Sequence, residues 1–524
     1  MTNFINLTES DKIANPNIPQ LNSGFTLVQL PALIDDRAVD VQVGAIFMFE
    51  FETDVKVAVG SNGYPNSLLN ETNSIEEVTI AATNSLYHNN PNACAKGGAG
   101  RSYGLACVII AILAVYGVVV DAKLIGFYWF VAGLSVGIMF FRLLGALFSP
   151  EEASSKPCSI PQIAPIYTVM VALYRESSVV ADLIDALLAL EWPKDKLDLI
   201  FLCEAGDEKT IEALKSQQNR HPFRIIILPK GIPQTKPRAL QVGLQFARGQ
   251  YITIYDAEDK PDKYQLLRAY EAFIHGEKSL AVVQAPLITW NHNESWIAGQ
   301  FFVEYAMWFR VILPTLNRFS NFIPLGGTSN HFKASALKEV GGWDPYNLTE
   351  DADLGARFCR YGYRATLISA PTYEEAPPKF GIWLKQRGRW IHGHLQTIGV
   401  NMRDPITFVT QMGLRGTFAF MVGILAGPLC AAMRAPFVLL VLANALFFQT
   451  SNVALGLALL GFGAELIVAL IAMRRDGRKG TIWYVVTMPI YWLLQLPAFI
   501  RAVWNLLFAP HVWDKTDHGL DARK

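Results

Sequence analysis

Long apolar segments stand on both sides of the middle of this chain, and they constrain its fold more than any other feature. Each is close to the roughly 20 apolar residues that an α-helix needs to cross the hydrocarbon core of a bilayer. Two precede the middle region and four follow it: 104–120, 124–148, 418–434, 436–448, 453–473 and 483–508. We predict about six crossings, with one interfacial or re-entrant segment, either 411–427 or the last stretch, which Pro489 and Pro497 interrupt.

The first two segments predict a membrane hairpin. Asp121 and Lys123 lie at its tip, Lys96 and Arg101 precede it, and Arg142 lies near its far end. Basic residues are retained on the cytoplasmic side of membrane segments, so we expect both ends of the hairpin there. Two buried core helices are the alternative, which the segment lengths and the scarcity of charge disfavour.

Charge and cysteine content exclude several classes of protein. Lys+Arg and Asp+Glu number 45 each, without the basic surplus that nucleic-acid-binding proteins usually carry. No two of the six cysteines have C-x-x-C spacing, so neither a zinc site nor a disulfide framework is indicated. The opening MTNFINLTESDK lacks the charged-then-apolar pattern of a signal peptide, and we expect the first 100 residues to stay on the side of the membrane where they are made.

The middle region alternates short apolar runs with helical patterns. The runs are IYTVMVAL, LDLIFLC, FRIIILP, YITIYDA and LAVVQAP, and the helical stretches include 208–218, 237–247 and 262–274. Such alternation predicts a mostly parallel sheet with helices on both faces. Continuous apolar strands fit a sheet that is buried on both sides. No G-x-G-x-x-G follows the first strand, so the dinucleotide fingerprint of oxidoreductases is missing.

These patterns divide the chain into five parts. Residues 1–103 form a small N-terminal soluble module, which a glycine-rich linker at 97–100 ends. An α/β domain is then inserted between α-helical transmembrane segments. The remaining boundaries are 104–148 for the hairpin, 157–400 for the α/β domain, 401–510 for interfacial and transmembrane helices, and 511–524 for a cytoplasmic tail.

Acidic residues follow two of the predicted strands. Glu204 ends LDLIFLC and Asp256 ends YITIYDA, and ligands bind beyond the carboxyl ends of strands in open α/β sheets. Clustered carboxylates need a positive partner, and Mg²⁺ or Mn²⁺ holding a diphosphate supplies one. We expect Asp256 with Glu258, or with Asp259, to hold the metal, and Glu204 to contact the nucleotide. The alternative is a solvated acidic turn at the start of a helix.

A second acidic site lies in the string WDPYNLTEDADLG. Thr349 can cap the helix that follows, with Glu350 and Asp351 in its first turn, and capping alone explains acids there. In the functional interpretation, Asp351 accepts a proton from an acceptor hydroxyl as that oxygen attacks the anomeric carbon of a sugar. An in-line attack of this kind inverts the anomeric centre.

Gln386, Arg389 and Trp390 are spaced so that they share one helix face. Arg389 can bind phosphate with two hydrogen bonds, and Trp390 offers a flat apolar surface for a sugar ring. The alternative is a basic amphipathic helix on an anionic membrane surface. Lys236 and Arg238 open another predicted helix, where they can approach a diphosphate or simply be surface charges.

Together these residues resemble the motifs of the membrane-embedded processive family-2 glycosyltransferases, which include cellulose, chitin, hyaluronan and curdlan synthases. The resemblance covers about residues 160–400. It implies a nucleotide-sugar-binding (GT-A-like) domain in which Glu204 contacts uridine, Asp256-Ala257-Glu258 is the D-x-D motif, Asp351 ends the T-E-D base motif, and Gln386, Arg389 and Trp390 form Q-x-x-R-W. Two departures stand out, since Glu204 and Glu258 replace the usual aspartates.

The resemblance implies a processive, inverting, Mg²⁺- or Mn²⁺-dependent hexosyltransferase in the bacterial inner membrane, multi-pass, with a cytoplasmic catalytic domain. It polymerises a β-glucan from UDP-glucose and passes the chain across the bilayer. Accessory export or regulatory subunits are further candidate partners. A single-transfer enzyme acting on a lipid-linked acceptor and a catalytically silent scaffold or transport subunit are the alternatives. For residues 1–103, regulation through a nucleotide second messenger or a partner protein is the hypothesis.

Overall fold

The computed structural model describes residues 57–59, 72–96, 101–106, 108–109, 112, 125–148, 159–447, 452–478 and 482–512. The chain divides into Met1–Glu52 and Thr53–Lys524, and every described residue lies in the second unit. The predictions for most of the N-terminal module, for most of the segment 104–120 and for the end of the cytoplasmic tail lie outside the described residues.

The strands of the α/β domain form where the apolar runs predict them, with several short additions. In chain order they are β1 Val57–Val59, β2 Tyr167–Leu173, β3 Leu197–Glu204, β4 Arg224–Leu228, β5 Tyr251–Tyr255, β6 Lys260–Pro261, β7 Leu280–Gln284, β8 Leu287–Thr289, β9 Asn330–Lys333, β10 Arg364–Leu367 and β11 Thr372–Glu374.

Among the described residues, eight strands form one sheet in the order β1-β4-β3-β2-β5-β9-β7-β10. Strands β4, β3, β2 and β5 are parallel, with Tyr167 of β2 opposite both Leu197 and Tyr251. Strand β9 is antiparallel to β5 and β7, so the sheet is mixed rather than nearly all parallel. The predicted α/β domain is confirmed. Because β9 runs antiparallel to β5, the loop before β9, which contains Gly326 and Gly327, lies at the carboxyl end of β5.

Helices cover both faces of the sheet and continue into an apolar bundle. They are α1 Thr72–Asn89, α2 Ile125–Phe148, α3 Val180–Leu188, α4 Glu208–Gln217, α5 Lys236–Gly243, α6 Gln265–His275, α7 Trp296–Met307, α8 Leu313–Phe319, α9 Ala334–Glu339, α10 Glu350–Arg360, α11 Phe380–Asn401, α12 Pro405–Phe420, α13 Ala426–Phe447, α14 Asn452–Asp476, α15 Ile482–Val486 and α16 Met488–Phe508.

Local sequence determines where the helices next to the sheet edge begin. Helix α5 begins after Thr235, whose hydroxyl accepts a hydrogen bond from the Arg238 amide at 3.3 Å, and a proline occupies its first turn. Thr349 occupies the N-cap position of α10, but its hydroxyl makes no capping hydrogen bond, contrary to the cap that the sequence predicts. The acids of the first turn still lie where the helix dipole favours negative charge.

The apolar bundle differs from the predicted series of separate crossings. Within the described residues, Pro405–Pro436 and Met488–Phe508 are long and apolar enough to cross a membrane. Helix α13 continues through Pro436, where the sequence predicts a boundary. A bend at Gly413, with φ 66° and ψ 169°, falls inside the predicted irregular segment 411–427. The last predicted stretch is divided at Thr487 into α15 and α16.

Helix α11 connects the α/β domain to the apolar bundle. Its Trp383 indole donates a hydrogen bond to the Tyr491 hydroxyl of α16 at 2.8 Å. At Gly388 a Cβ would lie 3.1 Å from the Arg501 side chain, so α11 and α16 pack closely. The Q-x-x-R-W residues are therefore fixed between the sheet edge and the apolar bundle.

Candidate active site

A cavity of about 450 Å³ opens beyond the carboxyl ends of β2, β3 and β5 and continues between the helices of the bundle. Nine of the ten site residues predicted from the sequence line it: Glu204, Lys236, Asp256, Glu258, Glu350, Asp351, Gln386, Arg389 and Trp390. These residues come from two strand ends or turns and three helices that are up to about 190 positions apart in the chain, as expected for ligand sites at the edge of an open α/β sheet.

The Glu204 carboxylate is buried at the end of β3 and is paired with Arg238 of α5. The Arg238 guanidinium lies 3.1 and 3.2 Å from the two carboxylate oxygens and donates to the Pro229 carbonyl at 2.7 Å. Burial raises the pKa of Glu204, and the charge of Arg238 opposes that rise. The sequence left Arg238 as either a diphosphate contact or a surface charge, and in the structure it is buried and holds Glu204 at the cavity wall.

Lys236 joins the carboxyl end of β5 to the loop before β9. Its ammonium group pairs with the Asp256 carboxylate and donates to the Gly327 carbonyl at 2.6 Å. Burial alone would lower the pKa of Lys236, but the charges of Asp256 and Glu350 outweigh it and raise the pKa. Lys236 is therefore a fixed positive charge among the acids of the cavity.

Asp259 has a different environment from the other two acids of its turn. It is 1% exposed and does not line the cavity. Its carboxylate accepts a hydrogen bond from the Asp256 amide at 2.7 Å and another from the Thr328 hydroxyl. Burial and the nearby charge of Asp256 raise the pKa of Asp259 well above its usual range. Asp259 thus shapes the turn, and Glu258 is the acid beside Asp256 that faces the cavity.

The donor set fits a divalent cation shared with a ligand, and not one enclosed by protein. Within the part of the chain that is described, no three His, Cys, Asp or Glu side chains come together as a metal site. Asp256 and Glu258 offer two carboxylates, the number from which Mg²⁺ is usually held when substrate phosphates complete its coordination. Burial, with a further contribution from the charges of Glu258 and Asp256, raises the pKa of the neighbouring Glu374 to about 8, and a cation bound by these two acids would offset their charge.

Glu350 and Asp351 occupy the first turn of α10 and face the same cavity. Burial raises the pKa of Asp351 to about 6, although the Ala352 amide, at 2.8 Å from its Oδ1, and the charge of Lys236 oppose the rise. Burial and the adjacent charge of Asp351 raise the pKa of Glu350 to about 8. Asp351 is the less buried of the two and is the better placed to meet a ligand.

The loop that leads to Asp351 is docked on α11. The Leu348 amide donates to the Gln396 side chain at 3.0 Å, and the Asn347 side chain donates to the Thr397 hydroxyl at 3.0 Å. Gly393 faces Thr349 so closely that a Cβ there would lie 2.5 Å from the Thr349 amide nitrogen. The acids of α10 and the Q-x-x-R-W face of α11 are therefore held in one rigid arrangement.

Gln386, Arg389 and Trp390 present one face of α11 to the cavity, as their spacing predicts. Burial lowers the pKa of Arg389, and the charges of Glu350 and Asp256 oppose that effect. The Trp390 ring lies 6.4 Å from the ring of Tyr305 at an interplanar angle of 28°. These contacts fix the indole while leaving it partly open to the cavity.

Arg387 also lines the cavity and is not among the site residues predicted from the sequence. Its guanidinium pairs with Glu304 of α7 at 2.9 and 2.5 Å and lies 4.8 Å from the centre of the Trp390 ring. Position 387 is three residues before 390, so an i, i+3 contact was a signal that could have identified it. Tyr174 and Glu176, directly after β2, also line the cavity and were not predicted.

The bundle end of the cavity carries charged groups as well. Glu465 of α14 pairs with Arg142 of α2 at 2.9 Å and with Arg434 of α13 at 3.1 Å, and the Arg434 guanidinium lies 4.7 Å from the Trp492 ring. All four residues line the cavity. Ionisable residues within apolar helices usually mark a hydrated cavity or a substrate path.

Comparison with known proteins identifies the family. Residues 251–502 match the family model described as glycosyl transferase family group 2. This region is therefore a family-2 glycosyltransferase domain. The matched region contains all the predicted site residues except Glu204 and Lys236, which precede it.

Two curated relatives of this glycosyltransferase are similar over part of their length. A probable glycosyltransferase, YdaM, of Bacillus subtilis is 25% identical over 44% of this chain and 55% of its own. A poly-beta-1,6-N-acetyl-D-glucosamine synthase of Staphylococcus epidermidis is 28% identical over 43% of this chain and 53% of its own. The chain thus spans about half the length of the curated relatives it matches.

Among solved structures, the mannosyltransferase PcManGT from Pyrobaculum calidifontis, in complex with GDP-Man and Mn²⁺, aligns with 77% of this chain and 99% of its own. Sequence identity is 18% and the TM-score is 0.46. At that score the likeness carries no argument about this glycosyltransferase.

Proposed function

We propose that this protein transfers a hexosyl group from a UDP-sugar to the end of a growing β-linked polysaccharide, with inversion, at a membrane. The observation that carries the proposal is the convergence of nine predicted residues on one cavity that continues between apolar helices. The match of residues 251–502 to glycosyl transferase family group 2 supports the reaction class. The proposed donor is UDP-glucose and the proposed product a β-glucan, because the resemblance to the family-2 polysaccharide synthases implies them.

Donor binding is assigned to the sheet edge. Glu204, held by Arg238, contacts the nucleoside, and Asp256 with Glu258 hold a divalent cation together with the diphosphate. Lys236 and Arg389 supply fixed positive charge on the same wall. A bound Mg²⁺ or Mn²⁺ would neutralise charge on the diphosphate as it leaves.

Asp351 is assigned the role of general base. It removes the proton from the acceptor hydroxyl while that oxygen forms a bond to the anomeric carbon. The bond from the anomeric carbon to the diphosphate breaks on the opposite face, and UDP leaves with its electron pair. One displacement inverts the anomeric centre, so an α-linked donor gives a β-linked product.

Processive elongation is supported by the position of Trp390 and by the extent of the cavity. The Trp390 indole lines the same cavity as the sheet-edge acids and the bundle residues, and its ring can stack on the terminal sugar of an acceptor. Arg434, Glu465 and Trp492 of the bundle line this cavity too and can provide polar and aromatic contacts for further sugar units. A chain that stays bound after each addition would extend along this path.

Membrane attachment is supported by the two long apolar helices and their exposed side chains. Ile490, Ile500 and Trp504 of α16 are each more than half exposed, as expected for a surface that faces lipid. We propose a multi-pass protein of the bacterial inner membrane with its α/β domain in the cytoplasm, through which the polymer is exported.

Single transfer to a lipid-linked acceptor and a catalytically silent scaffold are the competing functions. Purified protein incubated with UDP-glucose or UDP-N-acetylglucosamine, with and without Mn²⁺ or Mg²⁺, separates them. Polymer supports the proposal, a single added sugar supports the first alternative, and no transfer supports the second. The amino sugar is included because one relative is named for a polymer of N-acetylglucosamine.

A further inference from the structure

The described segment 72–96, which lies outside the matched family region, is packed against the site-bearing elements. It consists of α1 and a short 3₁₀ turn, Pro91–Ala93. A small buried cluster combines this segment with the loop before α10 and with the end of α11: Leu86, Ala93, Cys94, Ala95, Tyr346 and Val400. Three separate parts of the chain therefore share one core.

Asp344 is the centre of this contact. Its side chain is fully buried, and its two oxygens accept hydrogen bonds from the Ala95 amide at 2.6 Å and from the Cys94 thiol at 3.2 Å. The Tyr346 amide donates to the same carboxylate at 3.0 Å. A buried carboxylate needs such partners, so the position of segment 72–96 and that of the loop are coupled at Asp344.

The segment also contacts the two helices on either side of that loop. Ser85 of α1 accepts a hydrogen bond at 3.0 Å from Gln241 of α5, the helix that begins with Lys236. Arg403, just after α11, donates to the carbonyls of Pro91, Asn92 and Cys94 at 2.8, 3.2 and 2.8 Å. Helices α5 and α11 and the loop between α9 and α10 thus meet on one surface of segment 72–96.

The path from Asp344 to Asp351 is short and rigid. Six residues separate them, and the intervening amides are held by side-chain acceptors: the Leu348 amide by Gln396 and the Thr349 amide by Asn347, each at 3.0 Å. We therefore expect a displacement of Asp344 to shift the first turn of α10 as well.

We propose that segment 72–96 is a clamp that sets the position of Asp351 relative to Lys236 and Arg389, with Asp344 as its positioning residue. The proposal rests on the proposed function for the role of Asp351, but not for the existence of the clamp. It gives the N-terminal part of the chain a physical connection to the transfer site. Any event that moves segment 72–96 would change the rate of transfer before it changed donor binding.

The test compares Asp344→Ala and Arg403→Ala with the control Asp195→Ala in the full-length protein. Asp195 is largely exposed, and its carboxylate lies 3.8 Å from the ammonium group of the neighbouring Lys196. Hydrogen–deuterium exchange is followed in peptides that cover 91–96, 344–350 and β2. We expect faster exchange in 91–96 and 344–350 for both clamp variants, no change in β2, and no change in the control.

A kinetic measurement completes the test. We expect kcat to fall roughly tenfold or more in the clamp variants, with KM for the UDP-sugar nearly unchanged, because small misplacements of a catalytic group are costly in rate. Arg403→Lys, which retains a donor, should restore part of kcat. Faster exchange in 91–96 with unchanged exchange in 344–350 would show that the segment is only a cover, and would overturn the proposal.

The exchange readout does not depend on activity. If the unmodified protein transfers no sugar, the proposed function fails, while the exchange pattern still decides whether the clamp exists. If Asp344→Ala does not fold, Arg403→Ala decides alone, since Arg403 is exposed and its loss removes no buried charge.

Discussion

Gly393 of α11 lies directly against Thr349, the residue that precedes the two acids of α10. A Cβ at position 393 would be 2.5 Å from the Thr349 amide nitrogen and 2.6 Å from its hydroxyl oxygen. Because one of these atoms belongs to the backbone, a side-chain rotation cannot remove the clash. The distance between Asp351, the proposed general base, and the Q-x-x-R-W face is thus fixed by the absence of a single methyl group.

The first prediction concerns this contact. Gly393→Ala should separate α11 from α10 by several tenths of an ångström and destabilise the protein by about 1–3 kcal/mol, the usual effect of overpacking. Transfer should fall by more than the loss of folded protein explains, since Asp351 and Arg389 move apart. Thermal unfolding and the kcat of the folded fraction are the measurements.

Gly381→Ala is the matched control, because it lies in the same helix and a Cβ there meets no atom within 4 Å. It should leave both the unfolding temperature and kcat close to those of the unmodified protein, or raise stability slightly through the better helix propensity of alanine. Equal losses in the two variants would mean that glycine is needed in α11 for reasons other than its contact with Thr349.

The second prediction concerns Asp351. Asp351→Asn keeps the size of the side chain and the acceptor for the Ala352 amide but cannot accept the acceptor hydroxyl's proton. We expect kcat to fall by about 10²–10⁴-fold, the range for a lost general base, while UDP binding measured by calorimetry stays within a fewfold. Asp185→Asn, an exposed aspartate paired with Arg220, is the control. Appreciable transfer by Asp351→Asn would remove the base assignment.

The third prediction is the pH dependence of transfer. Burial raises the pKa of Asp351 from its usual value to about 6, and only the deprotonated form can accept a proton. The rate should therefore be constant above that pH and fall tenfold per pH unit well below it. Because the folded-state pKa is raised, protonation stabilises the fold, so the loss of rate should occur while the unfolding temperature is level or rising. A rate that falls only with unfolding would contradict this explanation.

Much of the site follows from the sequence because strand ends and helix faces are local properties. Glu204 and Asp256 were placed by the ends of apolar runs, and Gln386, Arg389 and Trp390 by their spacing on one helix. Such signals need no knowledge of what packs against them. The parallel order of β3, β2 and β5 then brings Glu204 and Asp256 to the same edge of the sheet.

What the sequence did not give depends on contacts between distant segments. From the sequence, Glu258 and Asp259 are equally plausible partners for Asp256 in holding a metal. Only the hydrogen bonds that Asp259 accepts from the Thr328 hydroxyl and the Asp256 amide identify it as the buried acid of the turn. The Arg387 side chain lies at the cavity because its guanidinium forms an ion pair with Glu304 of α7. Strand β9 is four residues long and carries His331, so its apolar pattern was too short to predict that it enters the sheet antiparallel.

The last prediction tests the division of labour between Glu258 and Asp259. If Glu258 faces the cation and Asp259 holds the turn, Glu258→Gln should raise the Mn²⁺ concentration needed for half-maximal transfer at least tenfold, since a cation ligand loses its charge. Its unfolding temperature without metal should be level or higher, because one of the crowded acids has been neutralised.

Asp259→Asn keeps an oxygen for the Asp256 amide and the Thr328 hydroxyl, but it places an amide N–H₂ group next to buried atoms. We expect that variant to lose stability by about 1–3 kcal/mol, as for other unsatisfied buried polar groups, with little change in the Mn²⁺ dependence of its folded fraction. The opposite pattern, in which Asp259→Asn changes the Mn²⁺ requirement and Glu258→Gln does not, would exchange the two roles and require the turn to rearrange when donor binds.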